Sequence, residues 1–134
     1  MPLEWYNGWS PEQRLATLPA QREAIRTGAI ARPITCSICG ENSRPDNPVW
    51  LHDENYAEPL AAYHVCRGCH RAVHERFDSP GHWRTLVDRF GGNGDKWFER
   101  LTMEQAAMRQ PFGITYPHGL PRPGEAPGNV PPAQ

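Results

Sequence analysis

The four cysteines of the chain fall into two close pairs, Cys36 and Cys39 in "TCSICGE" and Cys66 and Cys69 in "VCRGCHR", with residues 40–65 between them. Two residues between cysteines let both thiolates reach one ion from a single turn. Two such pairs make the S4 tetrahedron that zinc prefers in closed structural sites. The opening residues, "MPLEWYNGWSPEQ", carry neither a basic nor an apolar stretch, so no secretory signal is expected. The expected compartment is therefore the reducing cytoplasm, where thiols seldom pair as disulfides and metal binding becomes their leading use.

Other uses of the cysteines fit less well. A thioredoxin-like redox pair needs a βαβ pattern that neither pair has around it. Iron in a rubredoxin-like S4 site is the serious competitor to zinc. Such sites normally place a glycine after each pair; here Gly40 follows the first pair but His70 follows the second. The second pair thus reads as the opening turn of a helix. A knuckle, a hairpin and a helix clasping one zinc make a treble clef, so the expected fold is a small zinc-stabilised α+β unit flanked by short helices. Structural zinc contributes on the order of 10–16 kcal/mol in small peptides, so the metal would supply much of the folding energy.

The rest of the chain is arranged around that unit. Residues 1–35 form a helical arm: Ser10, Pro11 and Gln13 make a capping box and first helical turn, and Pro19 predicts a break into two short helices ending at Gly28. Leu15 and Leu18 are its thin apolar stripe. The zinc module spans 36–77, with strands expected in "PVWLHDENY" and "PLAAYHVC" and a helix from Arg67 to about Phe77. Residues 78–110 form C-terminal helices packing on the module. One starts at Ser79-Pro80 and ends at Gly91-Gly92; the next spans "DKWFERLTMEQAAMRQ", with Trp97, Phe98 and Leu101 as core residues and Thr102 with Gln105 capping its second half. Residues 111–134, rich in proline and glycine, read as a flexible tail removable at little cost in stability.

The formal net charge of −1 gives no global argument for nucleic acid, so any basic surface is local. Arg67, Arg71 and Arg76 are the candidates for phosphate contacts, extended by Arg84, Arg89, Lys96 and Arg100; Asp88, Asp95 and Glu99 are interleaved, as on an ordinary solvated face. No 18-residue apolar run exists, so no membrane span is expected.

His70 and His74 sit at i and i+4 and share one helix face. That face is rotated from the Cys69–Val73 stripe and looks away from the first metal. His52, in the first strand, can approach it across the hairpin, and the three imidazoles can converge on a second ion. As an ordinary helix residue His74 would instead face solvent and pair with Glu75 or Glu54. His64 and His82 read as structural or solvent-facing.

In order along the chain, "CSICG", "WLHDE" and "CRGCHRAVH" resemble the HNH, or ββα-metal, nuclease family in its zinc-stapled form, over residues 36–77. The resemblance implies an HNH-like hairpin and helix, DNA as partner and divalent-metal-dependent DNA cleavage. It places His70 and His74 as ligands of a second divalent metal such as Mg2+, Mn2+ or Zn2+. For His52 it leaves two roles open. As the second member of the family's strand pair, His52 is the general base and Leu51 replaces a ligand; as the first, it is a ligand and Asp53 stands where the base belongs. The family's mid-hairpin asparagine falls at Ala61, and Asn55 comes earlier in the hairpin, so the endonuclease motif is incomplete. The alternative function is a non-catalytic zinc module that docks a protein partner through the N-terminal arm or the tail.

Overall fold

Ser10 begins the first helix as its sequence dictates. Its Oγ accepts from the Gln13 N–H at 3.2 Å, and Gln13 Oε1 accepts from the Ser10 N–H at 2.8 Å, closing both halves of the capping box. In the computed structural model, which describes residues 3–91 and 97–123, helix α1 runs over Pro11–Thr27 without the expected break at Pro19. Proline removes the hydrogen bond to the Leu15 carbonyl, but Leu15 is exposed, so water can serve that carbonyl. The helix ends at Gly28, whose φ of 81° is left-handed and whose N–H bonds back to the Ile25 carbonyl. Leu15 and Leu18 do not pack inward: they are 51% and 38% exposed, and the buried face is Thr17, Gln21 and Ala24. The helix lies on polar ground. Gln21 Nε2 donates to both carboxylate oxygens of Asp53, at 2.9 and 3.0 Å, and to the Pro59 carbonyl at 3.0 Å.

Strands β1 (Val49–His52) and β2 (Tyr63–Cys66) pair antiparallel, with Val49 opposite Cys66, Trp50 opposite Val65, Leu51 opposite His64 and His52 opposite Tyr63. A 3-10 turn at Pro59–Ala61 lies between them. Cys66 ends β2 and caps α2 (Arg67–Glu75), its Sγ accepting from the Cys69 N–H at 3.5 Å. Helix α3 (Pro80–Phe90) follows; Ser79 stands at its N-cap without a capping side-chain bond, and Gly91 ends it, while Gly92 lies outside the described residues.

The core gathers where hairpin, α2 and the next segment meet. Val65, Val73, Ile38, Trp97 and Phe98 are fully buried, and the Trp97 ring stacks flat on Tyr63 with centroids 3.9 Å apart. The helix expected over 95–110 is not formed among the described residues. A 3-10 turn at Trp97–Arg100 is followed by irregular chain. Trp97 and Phe98 are both wholly buried within that short 3-10 turn. Thr102 caps nothing; its N–H and Oγ1 lie 3.3 and 3.4 Å from the Tyr116 hydroxyl.

The C-terminal segment also departs from expectation. Residues 112–115 form a short helix, α4 (Phe112–Thr115); Tyr116 is buried, and the Tyr63 hydroxyl donates to the carbonyl of buried Pro121. The chain therefore docks as far as its described end, because one tyrosine and two apolar contacts, Phe112 and Leu120, outweigh what the prolines and glycines suggest. Residues 124–134 of the expected tail lie outside the described residues. The docked segment meets the N-terminal arm at Gly8, where φ is 90° and a Cβ would collide with the Gln110 carbonyl. Among the described residues no helix is long and apolar enough to cross a membrane.

Candidate metal centres

The first pair of cysteines sits on a knuckle closed by the Cys36 N–H to the Glu41 carbonyl at 2.8 Å and by the Gly40 N–H to the Cys36 carbonyl at 3.0 Å. Gly40 supplies the left-handed turn, with φ 80°. Ser37 ties the knuckle to the hairpin: its N–H and Oγ both donate to the His64 carbonyl, at 2.8 and 2.7 Å, while Trp97 Nε1 donates to Ser37 Oγ at 2.9 Å. The second pair is delivered by the end of β2 and the first turn of α2. The ligand atoms of Cys36, Cys39, Cys66 and Cys69 consequently lie within 4.8 Å of one another, and none is in a disulfide.

These four residues can hold a metal ion. A tetrahedron with metal–sulfur bonds of about 2.3 Å has edges of about 3.8 Å, and Cys39 Sγ and Cys66 Sγ are 3.8 Å apart. The four thiols differ in how readily they give up their protons. A hydrogen bond from Cys69 draws the Cys36 thiol down to about 4, whereas burial pushes Cys39 up to about 12 and the bond given to Cys36 makes Cys69 hold its proton. Four crowded sulfurs cannot all become thiolates without positive charge among them.

The second cluster is built from β1 and α2. His52, His70 and His74 bring their ligand atoms within 4.8 Å of one another, with ring centroids 4.9 Å (His52–His70), 5.1 Å (His52–His74) and 4.6 Å (His70–His74) apart. His74 does not turn to solvent to pair with Glu75 or Glu54. Its Nε2 faces His70 Nε2 at 2.9 Å, and its ring lies against Tyr6. Burial, then the neighbouring His52, pushes His70 down to about 3, and His74 shifts the same way, so both present neutral imidazole. Neutral imidazole is the ligand form. His52 itself is buried, and its Nδ1 is the one buried side-chain nitrogen or oxygen among the described residues without a hydrogen-bond partner.

The other ring nitrogen of His52 is taken. Its Nε2 lies 2.5 Å from Glu54 Oε2, the oxygen that also accepts from the Tyr6 hydroxyl. Glu54 Oε1 receives the Tyr116 hydroxyl at 3.1 Å, Asn7 Nδ2 at 3.4 Å and an Arg76 guanidinium nitrogen at 3.5 Å. Burial opposes the charge of Glu54, but the bond from His52 and the charge of Arg76 win and hold the carboxyl down at about 2. Arg76 is wholly buried, donating also to the Tyr6 hydroxyl at 2.6 Å, to the Val73 carbonyl at 2.8 Å and to the Thr102 carbonyl at 2.7 Å. It is therefore unavailable to phosphates, contrary to the sequence expectation. Arg67 and Arg71 on α2, and Arg84 and Arg89 on α3, are exposed; Lys96 and Asp95 lie outside the described residues.

Asp53 turns to the opposite side from Glu54. With Gln21, Arg14 and Tyr56 it lines a cleft of about 260 Å³ that also touches His70 and His74 and is walled by Leu3, Leu15, Leu18 and Leu51. Burial raises its carboxyl to about 6, against the bonds from Gln21. His52 does not line this cleft. His64 and His82 lie outside the cluster, and Asn55 caps a turn by accepting from the Ala57 N–H at 3.1 Å. The sequence reading missed the Glu54 network. The two-residue spacing of His52 and Glu54, which puts both on one side of extended chain, was the available signal; Tyr6, Asn7, Arg76 and Tyr116 carry none.

No protein-family model, curated protein or solved structure matches the chain.

Proposed function

We propose that the chain is an HNH-like, nucleic-acid-associated metalloprotein that cleaves DNA with a divalent cation at His52, His70 and His74, on a treble clef stapled by zinc at the four cysteines. The observation that carries this is the convergence of the three histidines, one from the hairpin and two from the helix. Two neutral imidazoles and an unpartnered buried nitrogen suit a transition-metal or zinc ion better than they suit each other. Of the two roles open to His52, the ligand role follows: its ring is buried, and Nε2 is occupied by Glu54.

A divalent ion held there would supply Lewis-acid polarisation of a phosphate oxygen and stabilisation of the leaving oxygen. The chain's own groups do the rest. Asp53, next in sequence to the strand ligand and lining the same cleft as His70 and His74, is the group positioned to take a proton from water. Gln21 orients its carboxylate. The exposed Arg67 and Arg71 on α2 are placed to contact phosphates outside the cleft.

The test is nicking of supercoiled plasmid DNA by zinc-loaded protein with Mg2+, Mn2+ or additional Zn2+. Cleavage should be lost in His74→Ala and strongly reduced in Asp53→Asn, with the cysteine-bound zinc retained in both. Absence of cleavage by wild-type protein carrying both ions would overturn the enzymatic reading. Salt-dependent DNA affinity without cleavage would then identify a binding module.

A further inference from the structure

Resting on the metal-site reading above, we propose that Glu54 is the positioning residue of the histidine centre: it sets which nitrogen of His52 faces the ion and ties that setting to the docking of both flanking segments of the chain. The carboxylate is the point where the segments flanking the module meet. Tyr6 and Asn7 reach it from the N-terminal arm, Tyr116 from the C-terminal segment and Arg76 from the turn after α2. Every one of these groups donates. With four donors already converging on its two oxygens, the Glu54 carboxylate acts as an acceptor only, so His52 Nε2 at 2.5 Å must be a fifth donor.

That assignment fixes the tautomer of His52. The proton sits on Nε2, and the lone pair is left on Nδ1. Nδ1 is the buried atom with no partner, in a ring flanked by His70 and His74. A buried acceptor without a donor is costly, and an ion shared with the two neighbouring Nε2 atoms removes the cost. A carboxylate behind a ligating imidazole also raises its basicity and fixes its ring plane. The cysteine centre needs none of this, because its knuckle, strand end and helix start lie within residues 36–69. The histidine centre depends on partners from Tyr6 to Tyr116. The first metal can therefore be held by the module alone, whereas the second requires the docked arms.

Substitution with glutamine separates these roles. In Glu54→Gln the amide NH2 cannot take the Oε1 side, where Asn7 and Arg76 can only donate, so it takes the Oε2 side, where the rotatable Tyr6 hydroxyl can turn to accept, and it faces His52 Nε2. His52 must then accept there and carry its proton on Nδ1, pointing at the ion. Full-length wild type and Glu54→Gln would be compared by metal content after dialysis against Zn2+ and by competition titration with a chelating dye. We expect wild type to hold two ions and Glu54→Gln to keep the cysteine-bound one while losing about 10–100-fold in affinity for the second. Tyr6→Phe and Tyr116→Phe, which each delete one donor, should shift the second affinity in the same direction by less. Equal affinity for the second ion in wild type and Glu54→Gln overturns the positioning role. A wild type that never takes a second ion overturns the metal-site reading itself, and the two failures are thus distinguishable. Should Glu54→Gln fail to fold, the 15N chemical shifts of His52 in full-length wild type with one equivalent of zinc decide: Nε2–H with bare Nδ1 is expected, and the opposite tautomer overturns the proposal.

Discussion

His70 and His74 meet nitrogen to nitrogen across one turn of α2, Nε2 to Nε2 at 2.9 Å. Both rings are pushed towards the neutral form by burial and by His52, so neither gains from meeting the other as a charge. The separation is shorter than the edge of about 3.3 Å that two imidazoles on one zinc tetrahedron require. A metal bound by both rings would require that gap to widen by a few tenths of an ångström. Replacing either ring therefore removes the pair.

For His74→Ala the expected outcome is loss of the second ion with the first retained. The fold should lose about 1–2 kcal/mol, since the contacts given up are the ring's packing on Tyr6, His52 and His70. Metal content and urea unfolding on the same sample check this. Loss of both ions would show that the two centres are not separable.

Cys69→Ser should behave in the opposite way. The cysteines come from the knuckle, the end of β2 and the start of α2, and metal binding at such sites is coupled to folding. The variant should lose its cooperative thermal transition, and exhaustive chelation of wild type should do the same. A normal melting curve in the metal-stripped protein would contradict a structural role for the site.

Arg76→Met tests the buried network. The guanidinium is wholly buried and neutralises Glu54, which is itself 1% exposed, so its removal leaves an uncompensated carboxylate. A destabilisation of roughly 3–5 kcal/mol is expected, read from chemical denaturation. A double variant with Glu54→Gln should recover part of it, because the stranded charge is then gone.

Truncation after Gln110 should also destabilise the protein. It removes Tyr116, which joins the Glu54 network, together with Phe112 and Leu120 from the core margin. Loss of one buried aromatic alone costs roughly 3–5 kcal/mol. Thermal melting of zinc-loaded protein measures the change, and an unaltered transition would mean that the segment does not dock in solution.

The features readable from the sequence are those written in local spacing. Two residues between cysteines place both sulfurs on one turn, and four residues between His70 and His74 place both rings on one helix face. The capping box of Ser10 and Gln13 and the strand pair around Leu51 and Val65 are of the same kind. Local rules failed where surroundings outweighed them. Pro19 interrupts α1 only by one hydrogen bond on a solvated stretch, so the helix continues. Trp97, Phe98 and Leu101 are core residues as their apolar character suggests, yet only a 3-10 turn at Trp97–Arg100 forms among the described residues of the helix expected there.

Sequence by itself determined which thiols and imidazoles are on offer, the spacing within each cysteine pair and the shared face of the two helix histidines, because each is set by backbone geometry over a few residues. Only the tertiary structure decided that His52 joins that face, that Arg76 serves Glu54 instead of a surface, and that Tyr6 and Tyr116 close over the same carboxylate. These partners are separated by tens of residues and have no periodicity to announce them. They come together because Glu54, once buried by the core, must be surrounded by donors, and the chain supplies those donors from whichever segments its packing brings near.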